Sequence, residues 1–119
     1  MIPFVQTTSS LFANNLFTRI EDHAFNESLT VQKLTRLVAM SRTDLHRKLI
    51  NSVGMSATEC IRYIRLNKAS VILLEKPGLS IFEVAIEVGF NSQSYFTKRF
   101  RELFGTSPSD WRKVKMEHS

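Results

Sequence analysis

Glycine, proline and cysteine are scarce in this 119-residue chain, at four, three and one. The single Cys60 excludes a disulfide within the chain and any cysteine metal site, which leaves a small buried hydrophobe as its expected role. No glycine-rich stretch of the kind that cradles phosphates is present. No apolar run approaches the eighteen residues of a membrane span. The opening MIPFVQTTSS has neither the basic start nor the apolar stretch of a secretory signal, so a reducing, cytoplasmic location is the default expectation. His23, His46 and His118 lie far apart and lack carboxylate or cysteine partners at ligand spacing, which argues against a metal site. Nor is there a paired-carboxylate constellation or an activated nucleophile. Ser107 and Asp110 stand at helix-cap spacing rather than as a catalytic pair. An enzyme is not expected, and no cofactor is implied. Sustained strand alternation is also missing, so the chain reads as all-α.

What the chain does contain is one pattern written twice. LTVQKLTRLVAM (29–40) matches LSIFEVAIEVGF (79–90) at an offset of fifty, placing Leu34 on Val84, Thr35 on Ala85 and Met40 on Phe90. Beyond the turn the offset becomes fifty-one, so Ser41 falls on Ser92, Leu45 on Phe96, Leu49 on Phe100, Gly54 on Gly105 and Ser56 on Ser107. One extra residue, near Asn91, lengthens the second turn. Two copies are too few for a solenoid and point to a duplicated supersecondary unit.

The net charge of +5, with a pI near 9.7, is distributed with the same period. Residues 41–68 hold six Lys or Arg against two acids, and residues 90–115 again hold six against two, a balance of +4 each time. All other segments together sum to −3. Positive charge therefore gathers in the second half of each copy, as an anionic partner would require.

Capping residues and apolar spacing predict seven helices. The first is expected from Ser10 to Phe25 with Leu11, Leu16, Ile20 and Ala24 inward, followed by a polar break from Asn26 to Leu29. Thr30 caps the second, which buries Val31, Leu34, Leu37 and Val38. Ser41 caps the third, with Asp44 as capping partner and Leu45, Leu49 and Val53 as its stripe, and Gly54 ends it. A long fourth helix, Ser56 to Glu75, carries Ile61, Ile64, Leu66, Ala69, Ile72 and Leu73 inward and Arg62, Arg65 and Lys68 outward, until Pro77-Gly78 stops it. Ser80, with Glu83 at capping-box spacing, opens the fifth. The sixth runs from Ser92 to Phe104 with Phe96, Phe100 and Leu103 inward, and Gly105 closes it. The seventh starts near Ser107 with Pro108 in its first turn and includes Trp111. The expected organisation is a flexible leader over 1–10, a first helix-turn-helix subdomain over 11–55, a linker helix over 56–76, a second subdomain over 77–115 and a tail over 116–119.

A short helix, a tight turn and a second helix with an outer face of Arg, Lys, Thr, Ser and Gln is the arrangement that enters a DNA major groove. Arg and Lys can donate to guanine, Gln can pair with adenine, and hydroxyls and helix N-termini hold phosphates. In the first unit Arg42, Thr43, His46 and Arg47 are expected to face the bases, with Ser41 and Lys48 toward the backbone. In the second, Gln93, Ser94, Thr97 and Lys98 are expected to face the bases, with Ser92, Arg99 and Arg101 toward phosphates. A linking helix of about twenty residues spans roughly 30 Å. Successive major-groove faces lie about 34 Å apart. One chain could thus read two adjacent grooves without dimerising.

The stretches MSRTDLHRKL, IRYIRLNKA and VAIEVGFNSQSYFTKRFRELFGTSPSDWRK resemble the AraC/XylS transcriptional regulators over about Leu29 to Lys113. The resemblance implies a seven-helix domain of two helix-turn-helix subdomains joined by a central helix, and a role in transcription. It implies the same eight base-facing residues. The small residues usual in the family's first unit, Ala and Gly, are here Thr35 and Ala39, which implies looser packing of that unit. SRTDLHRKL after a helix ending in IEDH resembles the output domains of hybrid two-component regulators. A small stand-alone regulator is the alternative. Implied partners are duplex DNA, RNA polymerase and, for a piece of a longer protein, an upstream sensor or effector domain. The rival readings of the residues are a protein-interaction module and an RNA-binding helical domain.

Overall fold

The computed structural model describes residues 8–23 and 29–117, and all regular structure among them is helical. The helices are α1 (Thr8–His23), α2 (Val31–Val38), α3 (Arg42–Val53), α4 (Ala57–Glu75), α5 (Ile81–Glu87), α6 (Gln93–Phe104) and α7 (Pro108–Glu117). They form two compact units, the first containing residues 29–64 with α1, and the second residues 65–117. The boundary falls inside α4. That helix is more than a linker, because each of its halves supplies part of one unit's core.

The first unit is built on Leu16, Phe17 and Ile20 from α1, Leu34 from α2, Leu45 and Leu49 from α3, and Ala57, Cys60, Ile61 and Ile64 from α4, all buried. Local chemistry fixes where its helices begin and end. Thr30 takes an extended conformation and its hydroxyl accepts from the Lys33 N–H, starting α2. Ser41 does the same for α3 through the Asp44 N–H, at 3.1 Å. Gly54, at φ 72°, ends α3 in the left-handed region where a side chain is strained. Ala39 ends α2 at φ 54°, the sole non-glycine with positive φ among the described residues. Its repeat partner is Gly89, at φ 101°. The substitution that the family pattern flags as unusual is therefore located at a turn that favours glycine.

The second unit repeats the plan with larger side chains. Leu66, Ala69, Ile72 and Leu73 from α4 meet Val84, Ala85 and Val88, Phe90, and Phe96 and Phe100 from α6. Phe100 lies at 5.8 Å from Phe96, 4.5 Å from Phe104 and 6.0 Å from Trp111, ring centre to ring centre, a continuous aromatic cluster. Ser80 and Glu83 form the expected capping box: the Glu83 N–H donates to the Ser80 hydroxyl and the Ser80 N–H to the Glu83 carboxylate. Ser56 and Glu59 form the same exchange at the start of α4, a pair that the sequence reading did not single out. In α3, by contrast, the Asp44 carboxylate turns to Arg47 instead of back to the cap.

Four expected details differ. α1 begins at Thr8, so Ser10 lies within it and is not its cap; the run of four hydroxyl residues, 7–10, offers equivalent candidates. Leu11 is exposed, because the inward seam of α1 keeps the expected Leu16 and Ile20 but continues to Phe12, four residues before Leu16, in place of Leu11. Leu103 is exposed as well, since Phe104 continues the spacing of four set by Phe96 and Phe100 and takes the place against Trp111. α7 continues to Glu117, into the expected tail. Residues 1–7 of the expected leader, Ala24, Phe25, the break at 26–28 and His118 lie outside the described residues.

Candidate nucleic-acid interface

Each unit presents the second helix of its helix-turn-helix to solvent, and the physical reason is the same in both. Residues four apart bury one side of the helix, Leu45 and Leu49 in α3 and Phe96 and Phe100 in α6, so the residues between them must face outward. The turn before each helix is held by matching bonds. The Met40 N–H donates to the Thr35 carbonyl at 3.0 Å, and the Phe90 N–H to the Ala85 carbonyl at 2.9 Å. The second turn accommodates its extra residue without losing this bond, and Ser92 caps α6 through the Tyr95 N–H.

On α3, Arg42, Thr43, His46, Arg47 and Lys48 are all exposed. Arg42, Thr43 and His46 line one open cleft, floored by Leu45 and closed by Val31 of α2 and by Ser56, Ala57 and Thr58 at the start of α4. Arg47 lies outside that cleft and pairs with Asp44 across one helical turn at 3.6 Å. The Lys48 ammonium sits 5.0 Å from the centre of the Phe12 ring, within reach of a cation–ring attraction. Thr58 was not anticipated, because it enters the cleft from a different helix and no spacing within α3 signals it.

On α6, Gln93, Ser94, Thr97, Lys98 and Arg101 line a second open cleft together with Glu102. All four residues expected to face bases are thus on one surface, with Arg101 beside them. Arg99 is placed differently. Its guanidinium lies 5.2 Å from the Tyr95 ring centre and donates to the Glu102 carboxylate at 3.0 Å; hydrogen bonding with the Tyr95 side chain first and with Glu102 next raises its pKa. Ser41 and Ser92 accept backbone N–H groups with their hydroxyls.

Arg112 counts toward the second basic stretch in the sequence, yet it is half-buried and faces inward. Its Nε donates to the Leu73 carbonyl at 2.8 Å, one terminal nitrogen to Leu79 at 2.8 Å and the other to Lys76 at 3.3 Å. Next to it the Trp111 indole N–H donates to the Ser70 carbonyl at 3.1 Å. Cys60, buried in the first core, has its thiol pushed up to about 12 by desolvation, with Glu59 adding to the shift, so it is inert as a nucleophile. Among the described residues no group of three or more His, Cys, Asp or Glu could hold a metal ion, and no helix is long and apolar enough to cross a membrane.

A family model described as a helix-turn-helix domain matches residues 34–114, about two thirds of the chain, and so reaches into both units. The chain belongs to the AraC/XylS helix-turn-helix family. Among its relatives in that family is the HTH-type transcriptional regulator MtrA of Neisseria gonorrhoeae, 36% identical over 83 residues, which are 70% of this chain and 27% of the relative. The Msm operon regulatory protein of Streptococcus mutans is 36% identical over 99 residues, 83% of this chain and 35% of that protein. The AraC/XylS chain thus spans about a third or less of these relatives' length. Its fold is similar to the C-terminal domain of AraT, a response regulator from Geobacillus stearothermophilus, with a TM-score of 0.80 at 28% identity over 91% of this chain and 88% of that one.

Proposed function

We propose that this AraC/XylS chain binds duplex DNA sequence-specifically and regulates transcription, with α3 and α6 each laid in a major groove. The observation that carries this reading is the pair of exposed recognition faces. One framework of caps, turns and core residues is built twice, and each copy presents a polar and basic helix face that lines an open cleft among the described residues. Arg42, Thr43, His46 and Arg47 read bases in the first unit, and Gln93, Ser94, Thr97 and Lys98 in the second. Ser41, Lys48, Ser92 and Arg101 engage phosphates. Arg99 joins them only by leaving Glu102, a half-exposed partner.

Both helices reside on one chain, so the bound site spans two successive grooves and needs no dyad. The likeness to a response regulator's C-terminal domain supports an output role downstream of a sensor or effector domain, acting through RNA polymerase in the cytoplasm. The role is one of binding, not catalysis. Selection of bound duplexes from a random pool tests the proposal. Enrichment of a non-palindromic site about two helical turns long is the expected result. Absence of enrichment, or equal competition by structured RNA at the same salt, refutes it, since the deep narrow groove of A-form RNA does not admit these helices.

A further inference from the structure

α4 leaves its carboxyl end differently from α2, α3 and α6. α2, α3 and α6 each finish on a residue in the left-handed region, Ala39, Gly54 and Gly105, whose N–H returns to the preceding carbonyls. At the end of α4 the Lys76 N–H bonds to Ile72 and the Leu79 N–H to Lys76, and the chain turns through Pro77 and Gly78. The carbonyls of Leu73, Lys76 and Leu79 are taken by the three-nitrogen fork of Arg112 from α7. This is a cation placed at a helix carboxyl end, where the helix dipole and carbonyls without an intrahelical donor both favour it. The first copy has no counterpart: at the matching position stands Ile61, buried in the core.

The three anchored carbonyls frame the segment that delivers Ser80 to the start of α5, and α5 in turn sets the angle of α6. We propose that Arg112 is a positioning residue for DNA reading: it holds the α4–α5 turn and so fixes the aim of the second recognition helix, without itself touching DNA. A planar guanidinium can satisfy three carbonyls at once, whereas a lysine ammonium on the same stem cannot reproduce that fork. The inference rests on the reading of α6 as a base-reading helix.

The test compares the whole chain with its Arg112→Lys, Arg112→Ala and Lys98→Ala variants on the selected duplex and on duplexes with single base changes, at one salt concentration. Lys98→Ala marks the base positions that α6 reads. Arg112→Lys keeps the charge and is expected to lose discrimination at those same positions, by about fivefold or more, the cost of one good base contact, while discrimination at the α3 positions is retained. Weakening that is uniform across all duplexes would overturn the proposal and make Arg112 a phosphate contact. A lowered melting temperature with native discrimination would overturn it in favour of stability alone. Loss of helical signal in Arg112→Lys as well as Arg112→Ala would overturn it too, as the mark of a residue on which folding depends. If the parent chain shows no duplex preference, or Lys98→Ala changes nothing, what fails is the reading of α6 itself.

Discussion

Removing the Arg47 guanidinium by Arg47→Ala is the perturbation whose size the structure constrains most closely. Arg47 and Asp44 are 3.6 Å apart, with 67% and 62% of their side chains exposed. An ion pair so exposed is worth about 0 to 1 kcal/mol, so Arg47 can leave Asp44 for a base at small cost. A good contact to a base edge is worth about 1 to 3 kcal/mol. Arg47→Ala should therefore weaken specific binding by roughly 5- to 150-fold. It should leave the fold intact, because two thirds of the side chain is exposed. Asp44→Asn should do the opposite. It frees Arg47 and removes a negative charge from the DNA-facing side, and a gain of up to about fivefold is expected from an energy of under about 1 kcal/mol. The Ser41 cap survives, since it uses the Asp44 backbone N–H. The same change costs the fold about 0.3 to 1 kcal/mol, through loss of a carboxylate from the first turn of α3. Fluorescence anisotropy titrations of the selected duplex at fixed salt measure both effects, and the double variant shows whether the gain from Asp44→Asn depends on Arg47. Binding by Arg47→Ala within twofold of the parent would refute the assignment. A loss in Asp44→Asn as large as that in Arg47→Ala would show that the carboxylate itself accepts from DNA.

Ala39→Gly should stabilise the first unit by about 0.5 to 1 kcal/mol in urea unfolding, because φ 54° strains an alanine more than glycine's added chain entropy costs; a destabilised variant would contradict this. Glu59 and Glu83 have their pKa lowered by hydrogen bonds from the Ser56 and Ser80 backbone N–H groups first and from the serine side chains next. Their folded values lie below the ordinary 4.5, so the stability they contribute is present above about pH 4.5 and is lost as pH falls through the folded values. Urea midpoints at pH 7 and pH 3 should differ less in the Glu59→Gln, Glu83→Gln double variant than in the parent, and an equal difference would sink the linkage. Phe100→Ala should cost about 3 to 5 kcal/mol, because it opens a cavity among Phe96, Phe104 and Trp111, and a calorimetric loss below about 2 kcal/mol would show that the cluster collapses around it.

Most of the helical frame is legible in the sequence, for an identifiable reason. Thr30, Ser41, Ser80, Ser92, Gly54 and Gly105 act on donors or dihedrals within a few residues of themselves, so their spacing in the chain is already their geometry. The duplication reinforced each assignment, since a cap read in one copy could be checked in the other. Burial was legible where the apolar spacing was unambiguous, as in Leu45 and Leu49. At Leu11 and Leu103 a neighbouring phenylalanine competed for the core, and only the packing of the other helices decided which of the two turned inward.

The sequence by itself thus determined an all-α chain with two helix-turn-helix copies, and which outward residues distinguish the two copies. The tertiary structure alone decided which of the basic residues remain on a surface. Arg112 and Lys98 look alike as charges in a basic stretch, but Arg112 is bound to carbonyls 33 to 39 residues away and Lys98 lines an open cleft. Thr58 joins Arg42 and His46 by the same kind of convergence from another helix. Contacts between residues so far apart depend on how helices pack, and no periodicity along the chain encodes them.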